Sequence, residues 1–173
     1  TSIESLLASN VHVEVRDIHG LTPLMQAASN GEANAAKVLI EANAQVEAPD
    51  RDTWAPLLYA ARYGHEKCAQ VLIDAKATVD VKDDYDGMTA LMLAVTHGHT
   101  GVTKVLLAAN ASIEAKDRKN RTSFNLATVS GHGDIAEMLL EEMSRQKTLR
   151  LLTIGAIAVV FLALLFLPVW MRK

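Results

Sequence analysis

The hydrophobic positions of this chain recur with a fixed period, in pairs of short segments that have helical spacing. Apolar columns repeat every 33 or 34 residues: Leu24, Leu57, Leu91 and Phe124; Ala27, Ala60, Ala94 and Ala127; Leu39, Leu72, Leu106 and Leu139. Glycines keep the same register, at Gly31, Gly64, Gly98 and Gly131. Such a period predicts stacked copies of one helical unit rather than a domain with a single central core.

The first complete unit shows why each copy should fold as two helices. Asp17 to Gly20 is typical of a tight turn, with aspartate bonding its own backbone and glycine taking positive φ. Thr22 can cap a helix, and Pro23 suits its first position. Asn30-Gly31 is expected to end that helix, and a second helix is predicted over about residues 33–41.

These residues carry a family resemblance. The segment "GLTPLMQAASNG" closely resembles the ankyrin repeat, and "TWAPLLYAARYGH", "GMTALMLAVTHGH" and "NRTSFNLATVSGH" are its degenerate copies. The resemblance implies an all-α ankyrin-repeat solenoid of helix-turn-helix plus β-hairpin units. Residues 17–143 are expected to form four repeats, and residues 1–16 the second half of a truncated one. We expect upstream residues or a partner to cover that end.

The C-terminal segment has a different pattern. Residues 151–171 carry no charge, and a helix of that length would span about 31 Å, which matches the hydrocarbon core of a bilayer. We therefore predict a transmembrane helix over 151–171, a basic linker over 144–150 and a basic tail at 172–173. This implies an integral membrane protein of an unidentified organelle, with a single C-terminal span and the repeats on the cytosolic, matrix or stromal side.

Charge and reactive residues argue against an enzyme. The net charge of −3 divides into −6 over residues 1–113 and +3 over residues 114–173. Nothing matches a phosphate-binding loop or a nucleophile–base arrangement, and no cofactor is expected. His65, His99 and His132 lie one repeat apart, so we interpret them as turn residues and not as metal ligands. The single cysteine, Cys68, is interpreted as a small buried hydrophobe.

Ankyrin-type solenoids bind partners with their hairpin tips and inner helices, so the resemblance implies a concave protein-binding face. The predicted partner-binding residues are Trp54, Tyr59, Arg62, Met88 and Leu93. Trp, Tyr and Arg are enriched in binding hot spots. The alternative is that Trp54 and Met88 merely pack between adjacent hairpins.

Charged columns suggest two further surfaces. Acidic residues at the hairpin stems (Glu14, Glu47, Asp80, Glu114) and tips (Asp50, Asp52, Asp83, Asp84, Asp86) indicate either a basic partner or a solvated edge. Nucleic acid is not expected there, because phosphate binding needs positive charge. A second set is predicted to face the membrane surface: Arg118, Lys119, Arg121, Arg145, Lys147 and Arg150.

Together these features predict a non-enzymatic, membrane-anchored scaffold, acting as a single-span accessory subunit of a larger membrane protein complex. The span would contact lipid and, as an open alternative, neighbouring transmembrane helices. A second interpretation is a tail-anchored regulatory adaptor that recruits a soluble client protein. A third, remote one is the remnant of an ankyrin-containing channel or transferase.

Overall fold

The computed structural model describes the backbone of residues 13–166 and the side chains of residues 13–154. This part of the chain contains eight helices. They are α1 (Pro23–Asn30), α2 (Ala33–Glu41), α3 (Pro56–Tyr63), α4 (Glu66–Asp74), α5 (Ala90–Thr96), α6 (Thr100–Ala108), α7 (Ser123–Val129) and α8 (Gly133–Phe166). The truncated repeat predicted over residues 1–16 lies mostly outside the described residues.

The helices stack in two layers. The first helix of each pair contacts the first helix of the next pair, so α1, α3, α5 and α7 form an inner layer. The second helices α2, α4, α6 and α8 form an outer layer in the same way. Ala60 and Ala94 are fully buried between neighbouring inner helices, where small side chains let the helices approach closely. The predicted all-helical solenoid is confirmed.

Threonine starts three of the four inner helices. Thr22, Thr89 and Thr122 each accept a hydrogen bond from the backbone N–H three residues on, at 3.3–3.4 Å. Each hydroxyl thereby satisfies one of the N–H groups that a helix leaves unpaired at its first turn. Helix α3 begins after Ala55, which makes no such bond, and has Pro56 at its first position.

A loop that we call a finger precedes each pair of helices. Fingers 1 to 4 comprise residues 13–21, 46–54, 79–88 and 113–121. In each turn one aspartate accepts backbone N–H groups a few residues further on: Asp17, Asp50, Asp83 and Asp117. The described fingers contain a single isolated β-bridge, between Lys82 and Thr89, and no regular strand. The predicted β-hairpins are therefore not formed by regular strands in the described residues; each finger is a turn organised by one aspartate.

Histidine rings join consecutive repeats. Nε2 of His65 lies 2.8 Å from Ser29 O, and Nε2 of His99 lies 2.9 Å from Arg62 O. His132 makes the equivalent contact to Thr96 O at 3.3 Å. Since a carbonyl oxygen only accepts, each Nε2–H donates. These histidines therefore connect the second helix of one repeat to the first helix of the repeat before it.

The acidic stem column also joins repeats. Glu14 accepts a hydrogen bond from the backbone N–H of Gln45, and Glu47 one from Thr78, both at 2.7 Å. Asp80 accepts from Ser112 N at 2.8 Å. Three of the four stem carboxylates thus each accept a backbone hydrogen bond from the next repeat, while Glu47 and Asp80 remain exposed.

The last helix leaves the stack. Ile135 and Leu139 are buried against the solenoid, and Met143 packs on its core. The helix then continues through residues 144–150, the segment predicted as a linker. Its described side chains over residues 133–154 include charged ones at Asp134, Glu137, Glu141, Glu142, Arg145, Lys147 and Arg150.

The transmembrane prediction is corrected on this structure. Among the residues described, no helix is long and apolar enough to cross a membrane. The predicted transmembrane helix over 151–171, and the integral membrane localisation built on it, are therefore wrong for this part of the chain. Residues 167–171 of that prediction, and the tail at 172–173, lie outside the described residues.

We predict that Gly64→Ala destabilises the fold more than Gly131→Ala. Both glycines have left-handed backbones, with φ of 77° and 78°, so each alanine carries a penalty of about 1–2 kcal/mol. A Cβ at Gly64 would also lie 2.5 Å from Nδ1 of His99, whereas at Gly131 no described atom lies within 4 Å. Urea unfolding should show the difference, and equal losses would mean that the histidine contact is not tight.

Candidate functional site

A groove lies between fingers 2 and 3. Its volume is about 740 Å³. The lining residues come from the two fingers and the inner helices beside them: Asp50, Arg51, Asp52, Thr53, Trp54, Tyr59, Arg62, Tyr63, Asp83, Asp84, Tyr85, Asp86, Met88 and Leu93. All five residues predicted to bind a partner are among them.

Three of those five form one stacked cluster. The rings of Trp54 and Tyr59 meet with centroids 5.3 Å apart at a tilt of 58°. The guanidinium carbon of Arg62 lies 5.5 Å from the centre of the Trp54 ring, within range of a cation–π interaction. Helix α3 places Tyr59 and Arg62 three residues apart, on one face, which explains why both side chains reach Trp54.

Asp50 holds this cluster in position. One oxygen of its carboxylate accepts the backbone N–H of Trp54 at 2.8 Å, and the other accepts the hydroxyl of Tyr59. Burial of Tyr59, and then the negative charge of Asp50, raise the pKa of the tyrosine above its usual range. Tyr59 is therefore a neutral hydrogen-bond donor at physiological pH, and its ring is fixed before any partner arrives.

Met88 and Leu93 have a different role. Their side chains are only 8% and 2% exposed, so they form the floor of the groove rather than protruding anchors. The sequence left open that Met88 merely packs between adjacent hairpins, and the low exposure of its side chain agrees with that alternative. Trp54 is half-buried and packs against the core while still lining the groove.

Two exposed tyrosines complete the groove. Tyr63 is 49% exposed and Tyr85 is 82% exposed. Tyr85 lies in the segment "VKDDYDG", where the repeat has one extra residue, and Asp83 binds this longer turn through the N–H groups of four residues, from Tyr85 to Met88. Neither tyrosine was predicted from the sequence, although the break in register at finger 3 was a signal for Tyr85.

Thr53 is the one threonine with positive φ in the described chain, at 65°. Gly20, Gly87 and Asn120 hold the corresponding turn positions of the other fingers. A β-branched residue is disfavoured in this region, at a cost of about 1–3 kcal/mol. The groove thus contains a residue whose backbone is strained.

The six predicted basic residues are divided between finger 4 and α8. In finger 4, Arg121 donates from Nε and Nη2 to the buried carboxylate of Asp117, at 2.8 and 2.7 Å. Lys119 Nζ lies 4.0 Å from Asp86 of finger 3. Arg145 on α8 pairs with Glu142 at 3.2 Å, and Lys147 and Arg150 are exposed. Part of the basic charge is therefore bound inside the protein.

Reactive groups give no sign of catalysis in the described residues. No group of three or more His, Cys, Asp or Glu side chains is arranged to hold a metal ion. The rings of His97 and His99 stack at 6.0 Å, and His97 Nδ1 lies 3.1 Å from Leu93 O. Burial, and then the nearby charge of Glu32, raise the pKa of the Cys68 thiol, which disfavours a reactive thiolate.

Comparison with known families agrees with the repeat architecture. A family model described as ankyrin repeats, three copies, matches residues 1–83 and 75–150. Together the two matches cover residues 1–150 of the 173-residue chain. No curated protein matches the chain.

We predict that Asp117→Asn lowers the free energy of unfolding by about 1–3 kcal/mol at pH 7. Burial would raise the pKa of Asp117, but hydrogen bonds from the backbone and guanidinium of Arg121 outweigh it, so the pKa is lowered. A lowered pKa in the folded state stabilises above the unfolded pKa of about 4, and that stability is lost as pH falls through the folded value.

The measurement is urea unfolding between pH 7 and pH 2. The difference between wild type and Asp117→Asn should shrink below pH 4. Glu141→Gln, at an exposed position of α8, serves as control and should leave the midpoint unchanged. A difference that stays constant down to pH 2 would contradict a charged Asp117 as the cause.

Proposed function

Because the chain belongs to the ankyrin-repeat family, we propose that it is a non-enzymatic protein-interaction module whose groove between fingers 2 and 3 binds an extended segment of a protein partner. Family membership supports protein–protein interaction in general. The groove supports the choice of this face, since it offers one concavity lined by fingers and inner helices together.

The observation that carries the proposal is the aromatic content of the groove. The chain has three tyrosines, Tyr59, Tyr63 and Tyr85, and all three line it beside Trp54. Tyrosine, tryptophan and arginine are the side chains enriched in hot spots, since they bury a large area with few rotatable bonds and keep a polar end. Asp50 binds the Tyr59 hydroxyl and the Trp54 backbone, and the two rings pack on each other, so ordering them costs little on binding.

The composition of the groove favours reversible recruitment. Five aspartates and two arginines line it together with the aromatic residues. Permanent subunit interfaces are larger and more apolar than this, whereas reversible ones mix polar and aromatic groups. We therefore favour an adaptor that recruits a client protein over a stoichiometric accessory subunit.

The test uses the full 173-residue chain as bait for a displayed library of random twelve-residue peptides. We expect peptides selected on the wild type to lose about 30-fold or more in affinity for Trp54→Ala, because a central hot-spot truncation costs 2 kcal/mol or more. Fluorescence anisotropy with the synthesised peptides measures the loss. Far-ultraviolet circular dichroism checks that the variant stays folded.

A matched control comes from finger 1. Ile18 is 81% exposed, lies at a finger tip and is not part of the groove, so Ile18→Ala should bind the same peptides as the wild type does. Selected peptides that bind Trp54→Ala as tightly as the wild type would place the binding surface elsewhere. Failure to select any peptide would count against the groove as a peptide-binding site.

A further inference from the structure

Neighbouring fingers meet in the same way at two of the three junctions. Between fingers 1 and 2, Arg51 packs over Gly20, with its Cγ 2.9 Å from where a Cβ would lie. Between fingers 3 and 4, Arg118 packs over Gly87, with the corresponding distance 3.1 Å. At both junctions the glycine therefore leaves room for an arginine side chain from the next finger.

The junction between fingers 2 and 3 is built differently. Thr53 occupies the glycine position, and Asp84 occupies the arginine position one repeat later. The Thr53 hydroxyl donates to Asp52 O at 2.6 Å and accepts the backbone N–H of Asp84 at 3.0 Å. Both partners of the usual pair are thus replaced, and a hydrogen bond joins the replacements.

This exchange changes the charge at the junction from positive to negative. The arginine that spans the other two junctions is absent here, and an exposed aspartate stands in its place. Asp50 and Asp83 are bound to backbone N–H groups of their own turns, and Asp86 lies near Lys119. Asp52 and Asp84 remain exposed on the two facing walls, and no ion pair involves either within the described residues.

The aromatic residues stand beside these two carboxylates. Tyr85 follows Asp84 directly and is largely exposed, while Trp54 and Tyr59 lie on the opposite wall. Aromatic faces attract cations, and carboxylates form ion pairs with cations. Both kinds of group therefore favour a positively charged side chain of the partner. Arg62 already stacks on Trp54, so Tyr85 and the two carboxylates are the groups left to meet a cation of the partner.

We propose that the Thr53–Asp84 junction makes the groove specific for a cationic protein segment, with Asp52 and Asp84 as the residues that select arginine or lysine. The proposal rests on the proposed function, and it adds the chemistry of the partner. It also gives the strained threonine at position 53 a role, since its hydroxyl accepts the backbone N–H of Asp84 and so joins finger 3 to finger 2.

The probe is a synthetic twelve-residue peptide of Gly, Ser and Leu with arginine at four positions, compared with versions that carry glutamine or glutamate there. Fluorescence anisotropy with the full chain should give tightest binding to the arginine peptide, weaker binding to the glutamine peptide and none to the glutamate peptide. Binding of the arginine peptide should weaken as salt is raised, because the attraction is between charges.

The decisive variant is Thr53→Gly combined with Asp84→Arg, which installs the pair found at both neighbouring junctions. It should fold at least as stably as the wild type, since the strain at Thr53 is removed, yet bind the arginine peptide more than tenfold more weakly. Glu141→Arg makes the same change of charge as Asp84→Arg on an exposed part of α8, and should bind like the wild type.

A milder variant keeps the test sharp if the double variant does not fold. Asp84→Asn retains the backbone N–H that bonds to Thr53, and should weaken arginine-peptide binding about threefold to tenfold with a reduced salt dependence. Unchanged binding to Asp84→Asn overturns the proposal, as does failure of the wild type to bind the arginine peptide. Equal, Trp54-dependent binding of all three peptides would also overturn it, while leaving the interaction groove itself supported.

Discussion

The stack depends on one close contact, in which the histidine ring of each of the last three repeats lies against the turn glycine of the repeat before it. The ring can approach because the glycine has no Cβ: at Gly31, Gly64 and Gly98 such an atom would lie within 2.6 Å of the ring. The same glycines take positive φ, which ends the inner helix and turns the chain toward the outer layer. Helix termination and repeat-to-repeat spacing are therefore set by the same residue.

The groove arises where the repeat departs from its own pattern. Three departures occur close together: Thr53 in place of glycine, Asp84 in place of arginine, and the extra residue that brings Tyr85 to the tip of finger 3. Each repeat contacts only its neighbours, so these changes alter one junction and leave the others intact. A solenoid can for this reason carry a binding site at one junction without losing the contacts that hold the remaining repeats together.

Much of the fold could be predicted from the sequence because its determinants are local. The period, the threonine caps and the turn glycines lie within a few residues of the helix ends that they specify. The stem carboxylates were harder, since Glu47 binds a backbone N–H 31 residues away, and a backbone donor has no sequence signature. Thus a column that resembles surface charge in the sequence also forms contacts between repeats.

The candidate binding site was only partly predictable for a related reason. Position in the repeat placed Trp54, Tyr59 and Arg62 on one face, and the structure brings them together. Position in the repeat could not show that Leu93 would be buried, because the exposure of its side chain depends on how closely the next finger packs. The transmembrane prediction depended on the length and apolar composition of one segment, and no helix among the described residues is long and apolar enough to agree with it.

Electrostatics links the groove to its basic neighbour. Finger 4 resembles a cationic patch in the sequence, but Arg121 neutralises the buried Asp117, and Lys119 approaches Asp86. Arg121 is bound to a buried carboxylate and Lys119 lies near Asp86, so Asp52 and Asp84 are the groove aspartates of fingers 2 and 3 that combine exposure with no ion pair among the described residues. The field that a partner meets there is set by which charges the fold already pairs, and the count of charges along the sequence does not reveal it.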